Sequence, residues 1–145
     1  MIDRAAISQL IPHAGSMCLL DEVLSWDDAA ICCRSMQHRA LDNPLRHAGR
    51  LGALSGIEFA AQAMAAHGRL AGAVSERPRV GFIASLRDIV CRCERLDHFE
   101  ESLLIKATHL MGDDEQVVYA FTVACGAQEI VAGRATVLLQ AELPS

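Results

Sequence analysis

A chain of 145 residues is long enough for one ordinary domain with a single core. It is 52% hydrophobic but only 4% aromatic, so the core must be aliphatic and Ala-rich, which favours close packing of small side chains and a large buried subunit contact. A net charge of −5 without a basic run excludes a nucleic-acid surface, and no apolar stretch is long enough to span a bilayer. The first residues lack a cationic start followed by an apolar segment, so a cytoplasmic protein is expected.

In chain order, apolar residues at Ile2, Ala5, Ala6 and Leu10 predict a short helix over about 2–10 that stops near Pro12, with a turn at Gly15-Ser16. Two strands are expected at Cys18–Leu24 and Ala29–Met36, parted by Ser25-Trp-Asp-Asp28. A loop then runs from His38 to Arg50 through Asp42-Asn-Pro44 and Arg46-His-Ala-Gly49. From Leu51 to about Gly68 the chain is nearly free of charge and reads as a helix buried on most sides. The remainder predicts strands at 80–95, 102–111, 116–125 and 129–140, the first too long to run without a bend. Four late strands with tight turns and one apolar helix imply an antiparallel sheet packed around that helix, in one domain over 1–145.

Within the apolar helix stands one carboxylate, Glu58, with Gln62 four residues on and so on the same face. A carboxylate in such a stretch either serves acid/base chemistry or is held by the helix dipole or a subunit seam. The six cysteines include adjacent Cys32 and Cys33 and the Cys91-x-Cys93 pair, but no CxxC. They read as buried thiols and not as metal ligands, and His13, His38, His67, His98 and His109 show no ligand spacing. No metal and no cofactor are expected.

Three segments together resemble the hotdog-fold 3-hydroxyacyl-acyl-carrier-protein dehydratases, in particular the small dehydratase-like proteins of aryl-polyene clusters. Leu10-Ile-Pro-His-Ala-Gly-Ser-Met-Cys-Leu-Leu-Asp-Glu-Val23 is similar to the family's Leu-Pro-His segment. Glu58-Phe-Ala-Ala-Gln62 is similar to the Glu-x-x-x-Gln signature of its central helix, and Val80 to Ile89 is similar to the strand that opens the second half. The resemblance implies an α+β hotdog fold, a curved antiparallel sheet wrapped around one long helix. It also implies removal of water from a 3-hydroxyacyl thioester in fatty-acid or aryl-polyene type biosynthesis. Glu58 takes the acid position, Gly56 and Ile57 take the place of the backbone donors to the thioester oxygen, and Gln62 is placed to orient the carboxylate. Where the family carries Gly-His-Phe, the ungapped alignment sets Asn43-Pro44-Leu45, so His47 becomes the candidate base.

Three activities fit this pattern: a working dehydratase (hydro-lyase) using His47 and Glu58, a catalytically reduced subunit paired with an active relative, and an acyl thioesterase. The substrate would arrive on an acyl-carrier protein or coenzyme A. Arg34, Arg39, Arg46 and Arg50 with His38 and His47 form a candidate basic rim for an acidic carrier, or else a solvated face. Edge strands of the sheet call for a homodimer or a heterodimer with a related hotdog chain.

Overall fold

The computed structural model describes residues 1–11, 15–72, 79–113 and 115–141. A two-residue strand β1 (Ile2–Asp3) leads into helix α1 (Arg4–Leu10), which Asp3 caps by accepting the Ala6 N–H at 3.0 Å. There follow β2 (Glu22–Trp26), β3 (Ala30–Ser35), the long helix α2 (Gly56–Ala71), and β4 (Arg79–Cys91), β5 (Leu103–Gly112), β6 (Gln116–Cys125) and β7 (Gln128–Ala141). The strands form one antiparallel sheet in the order β1-β2-β3-β5-β6-β7-β4. Along β5 the buried residues Leu103, Ile105 and Ala107 alternate with more exposed ones, so one face turns to the core and the other to solvent.

Helix α2 lies on the core face. Phe59, Ala60, Ala63, Met64 and Ala66 are buried, and full burial of Phe59 alone stabilises by about 2–3 kcal/mol. At Gly56 the helix starts close against the sheet: a Cβ there would stand 2.8 Å from Val131 Cγ1 and 3.4 Å from Val123 Cγ2, so glycine lets the helix start flush against β6 and β7. The other end of the helix is held by His67. Its Nε2 lies 2.8 Å from the Asp27 carbonyl, which can only accept, so a neutral His67 carries its proton there. The Nδ1 lone pair then accepts from the Tyr119 hydroxyl at 2.7 Å, and burial pushes that phenol up to about 12. His67 is therefore the satisfied structural histidine that its isolation in an apolar run suggests.

The long first strand of the second half is bent, as its length requires. Its pairing with β7 shifts between Ile83 and Ser85 and again between Arg87 and Val90, and Asp88 sits at φ 55° inside the second bulge. Ile89 fills the space above Gly133, where a Cβ would meet its Cδ1 at 2.3 Å.

Among the boundaries that differ from expectation, two have a clear local reason. The second strand begins at Glu22 and not at Cys18, because Leu19 spends its backbone on side chains: its N–H donates to Gln62 Oε1 at 2.8 Å and its carbonyl accepts from Ser35 Oγ. The central helix begins at Gly56 and not at Leu51. Leu51 accepts from the Leu96 N–H and Ala53 donates to the Glu94 carbonyl, which keeps 51–53 extended until a 3-10 turn at Ala53–Ser55 starts the helix.

Tyr119→Phe leaves the His67 Nδ1 buried without a donor, so equilibrium denaturation should show a loss of about 1–2 kcal/mol. His67→Phe with Tyr119→Phe should cost less than the sum of the two single changes, and strict additivity would rule out the bond.

Candidate functional site

The candidate site is built at the start of α2. Glu58 occupies the first helical turn and is exposed, on the opposite side from the residues that face the sheet. The expectation that this carboxylate is buried is corrected: the helix is covered on its Gly56, Ala60, Ala63 and His67 side by the sheet and at Gln62 by the N-terminal segment. Glu58, Gly68 and Arg69 remain open, with Ala61 and Ala65 half-buried between them. No hydrogen bond or ion pair ties Glu58 to another side chain among the described residues.

Gln62 is fully used. Its Oε1 accepts from Leu19 N–H and its Nε2 donates to the Met17 carbonyl at 2.7 Å, so it fastens the helix to the segment before β2. Gly56 donates its N–H back into the preceding turn, to Ala53 and Leu54 carbonyls, while Ile57 is half-buried beside it.

His47 is exposed and opens a four-residue turn closed by His47 N–H to Arg50 carbonyl (2.8 Å) and Arg50 N–H to His47 carbonyl (3.0 Å). Ala48 at φ 52° and Gly49 at φ 74° give that turn its left-handed pair. The structure does not join His47 to Glu58 by a hydrogen bond or ion pair within the chain. Pro44 is exposed, and its neighbour Asn43 is buried as a turn-former, with Oδ1 accepting from Leu45 N–H at 2.9 Å and Nδ2 donating to the Gln37 carbonyl at 2.8 Å.

The hub of this region is Asp97, on the segment between β4 and β5, which the sequence reading passed over. Its carboxylate accepts from Arg95 Nη2 at 2.5 Å and Nε at 3.0 Å, from Arg46 Nη1 at 3.5 Å, and from Leu51 N–H at 3.3 Å. The Arg95 guanidinium, the largest influence, and the Leu51 amide hold this carboxyl well below the usual carboxylate range. Arg46 also donates to the carbonyls of Ala40, Gly49 and His38, so one arginine staples the whole loop that carries His47. The only prior signal was an Arg-x-Asp triplet at 95–97, which is common on surfaces.

His38 is buried beside this hub with Nε2 2.8 Å from the Phe99 carbonyl, while its Nδ1 meets no partner among the described residues. Burial pushes this imidazole below its ordinary value, with Arg39 adding to the effect against the opposing Phe99 bond. Half of the expected basic rim is thus consumed: Arg34 pairs with Glu22, Arg46 with Asp97, and His38 is inside, leaving Arg39, Arg50 and His47 at the surface. Burial also pushes the Cys33 thiol up to about 12, so it is no nucleophile. No cluster of metal-ligating side chains occurs among the described residues, and His13 lies outside them.

A seven-stranded antiparallel sheet around one central helix is the hotdog fold, and its known members agree. The dehydratase heterocomplex ApeI:P of Xenorhabdus doucetiae superposes with a TM-score of 0.78 at 20% identity, over 92% of this chain and 90% of that one. A thioesterase of Haemophilus influenzae gives a TM-score of 0.68 at 12% identity over 99% and 94% of the two chains. A hypothetical thioesterase of Streptococcus pneumoniae, solved with coenzyme A, gives 0.60 at 12% over 85% and 88%. No curated protein sequence matches the chain. The profile of the ApeP-like family, described as ApeP dehydratase, matches residues 5–144, and the chain belongs to that family of dehydratase-like hotdog proteins.

Two acid-sensitive groups should be separable by titration. His38 has a folded-state value below its unfolded one, so its contribution is present above about 6.5 and is lost as pH falls through the lowered value. Asp97 is likewise depressed, so its contribution holds above about 3.9 and disappears only in stronger acid. Stability measured against pH should therefore fall in two stages, and Asp97→Asn should remove only the lower one.

Proposed function

We propose that this chain catalyses loss of water from a 3-hydroxyacyl thioester, in fatty-acid or aryl-polyene type biosynthesis, as one subunit of a paired hotdog assembly. The observation that carries the reading is Glu58: a carboxylate on the first turn of the central helix, left open on the side that neither sheet nor N-terminal segment covers. In the reaction a base removes the proton from C2, the C2–C3 double bond forms, and protonated Glu58 gives its proton to the departing C3 hydroxyl. His47 is the assigned base. The Ile57 amide, near the positive end of the helix dipole, is the donor nearest in sequence for the thioester oxygen.

No hydrogen bond or ion pair joins His47 to Glu58 within the chain among the described residues, and we read the site as closed by a second subunit at a seam. Strand β4 supports this: among the described residues it pairs only with β7 and its other edge is open, and Phe82, Leu86 and Val90 are 46, 41 and 44% exposed. A second hotdog chain pairing along β4 would cover these side chains and close the open side of α2. The likeness to a chain of a dehydratase heterocomplex favours a distinct partner over self-pairing. The substrate would be carried by an acyl-carrier protein or coenzyme A, which fits a cytoplasmic setting.

The test is conversion between enoyl and 3-hydroxyacyl thioesters by the chain and its variants. Glu58→Gln should lower the rate at least about 100-fold, and His47→Ala should do so comparably. Activity surviving His47→Ala would move the base to the partner, whereas free thiol released without any enoyl product would replace dehydration by hydrolysis.

A further inference from the structure

The solvent-facing side of the sheet carries charge in an uneven way. At one end the cations are matched: Arg34 stands directly opposite Glu22 and pairs with it, and Arg92 pairs with Glu129 at 3.3 Å. In the centre they are not. Arg87 on β4 stands directly opposite Arg134 on β7, both exposed, and like charges in directly opposed positions destabilise a sheet. Lys106 lies on the same face of β5, opposite Cys32 on β3 and Thr122 on β6. Among the described residues none of the three cations reaches a carboxylate within ion-pair distance. The nearest acid in sequence, Asp88, sits in the β4 bulge without pairing to Arg87.

Around these cations the surface is low. Ala120 and Ala132 on this face flank them, and a shallow open cleft of about 200 Å³ lies beside Lys106, lined by Ser25, Trp26, Asp27, Cys32 and Thr108, with Asp27 Oδ1 accepting from the Ala29 and Ala30 N–H groups. A chain whose net charge is −5 therefore presents a cationic, flat area next to its open edge strand. Arg134 on β7 and Lys106 on β5 stand inward of that edge and stay accessible when β4 pairs with a partner, because edge pairing adds a strand beside β4 in the plane of the sheet.

We propose that Arg87, Arg134 and Lys106 form the docking surface for an acidic acyl-carrier protein, in place of the Arg34–Arg50 rim, where Arg34 and Arg46 are already paired with carboxylates. The inference rests on the thioester reading above, but its test needs no turnover. The like-charge pair is relieved when an acidic surface settles on it, so binding should be salt-dependent.

The experiment measures binding of a purified phosphopantetheinylated acyl-carrier protein to the full chain. In about 50 mM salt, Arg134→Glu should weaken binding at least about tenfold, and the parent should weaken similarly on raising salt to about 300 mM. The melting temperature of Arg134→Glu should be no lower than the parent's, since the substitution sets opposite charges across β4 and β7. Lys106→Glu provides an independent second variant. Undiminished binding by both variants overturns the proposal, as does failure of the parent to bind, or a loss seen only with Arg39→Glu and Arg50→Glu. Carrier binding by a chain that forms no enoyl product would keep this surface and remove the dehydratase reading.

Discussion

The contact of Gly56 with Val123 and Val131 fixes how the rest of the molecule is arranged. A helix can begin this close to a sheet only where it has no side chain, and any Cβ at that point collides with a β-branched residue of β7. Once the first turn is seated, helical periodicity decides every other face. Ala60, Ala63 and His67 follow Gly56 into the sheet, Gln62 meets the N-terminal segment, and Glu58 is turned to the uncovered side. The candidate acid is thus placed by packing, and its exposure in the single chain is the complement of the burial around it.

The second constraint acts on the approach to that helix. Asp97 gathers Arg95, Arg46 and the Leu51 amide, and Arg46 in turn holds three carbonyls of the loop leading to His47. The loop carrying His47 is therefore braced by charge-assisted bonds. Arg46 turns its guanidinium inward, so the run of arginines that looks like a docking rim keeps only Arg39 and Arg50 of that loop at the surface. The unmatched cations are found instead on the sheet, where Arg87 and Arg134 face each other.

Much of this was legible in the sequence because it rests on periodicity. The alternation in Gln116–Cys125 gives β6 with its observed limits, and the apolar run with a single carboxylate gives the central helix and Glu58. The ends of elements were less legible where side chains replace the ladder, as Gln62 and Ser35 do at Leu19. Long-range polar contacts left no local pattern: Asp97 is 46 residues from Leu51 and 51 from Arg46. Exposure was misjudged at Glu58 for a related reason, since apolar neighbours in sequence do not show which side of a helix a partner subunit must cover. The Arg87–Arg134 opposition depends on strand register and could not be read from either segment alone.

Membership in the ApeP-like family and the hotdog architecture agree with a dehydratase-like role, and the open β4 edge and the open side of α2 both point to a second chain. The central claim is that Glu58 becomes a working acid only when that side is closed by another hotdog subunit. The most direct measurement is the specific rate of enoyl product formation from a 3-hydroxyacyl thioester as the chain is titrated, alone and with a related hotdog chain. The account predicts a rate per chain that climbs with assembly and tracks the mass of the complex. A rate per chain that is constant down to the monomer, or thioester cleavage without an enoyl product, would contradict it.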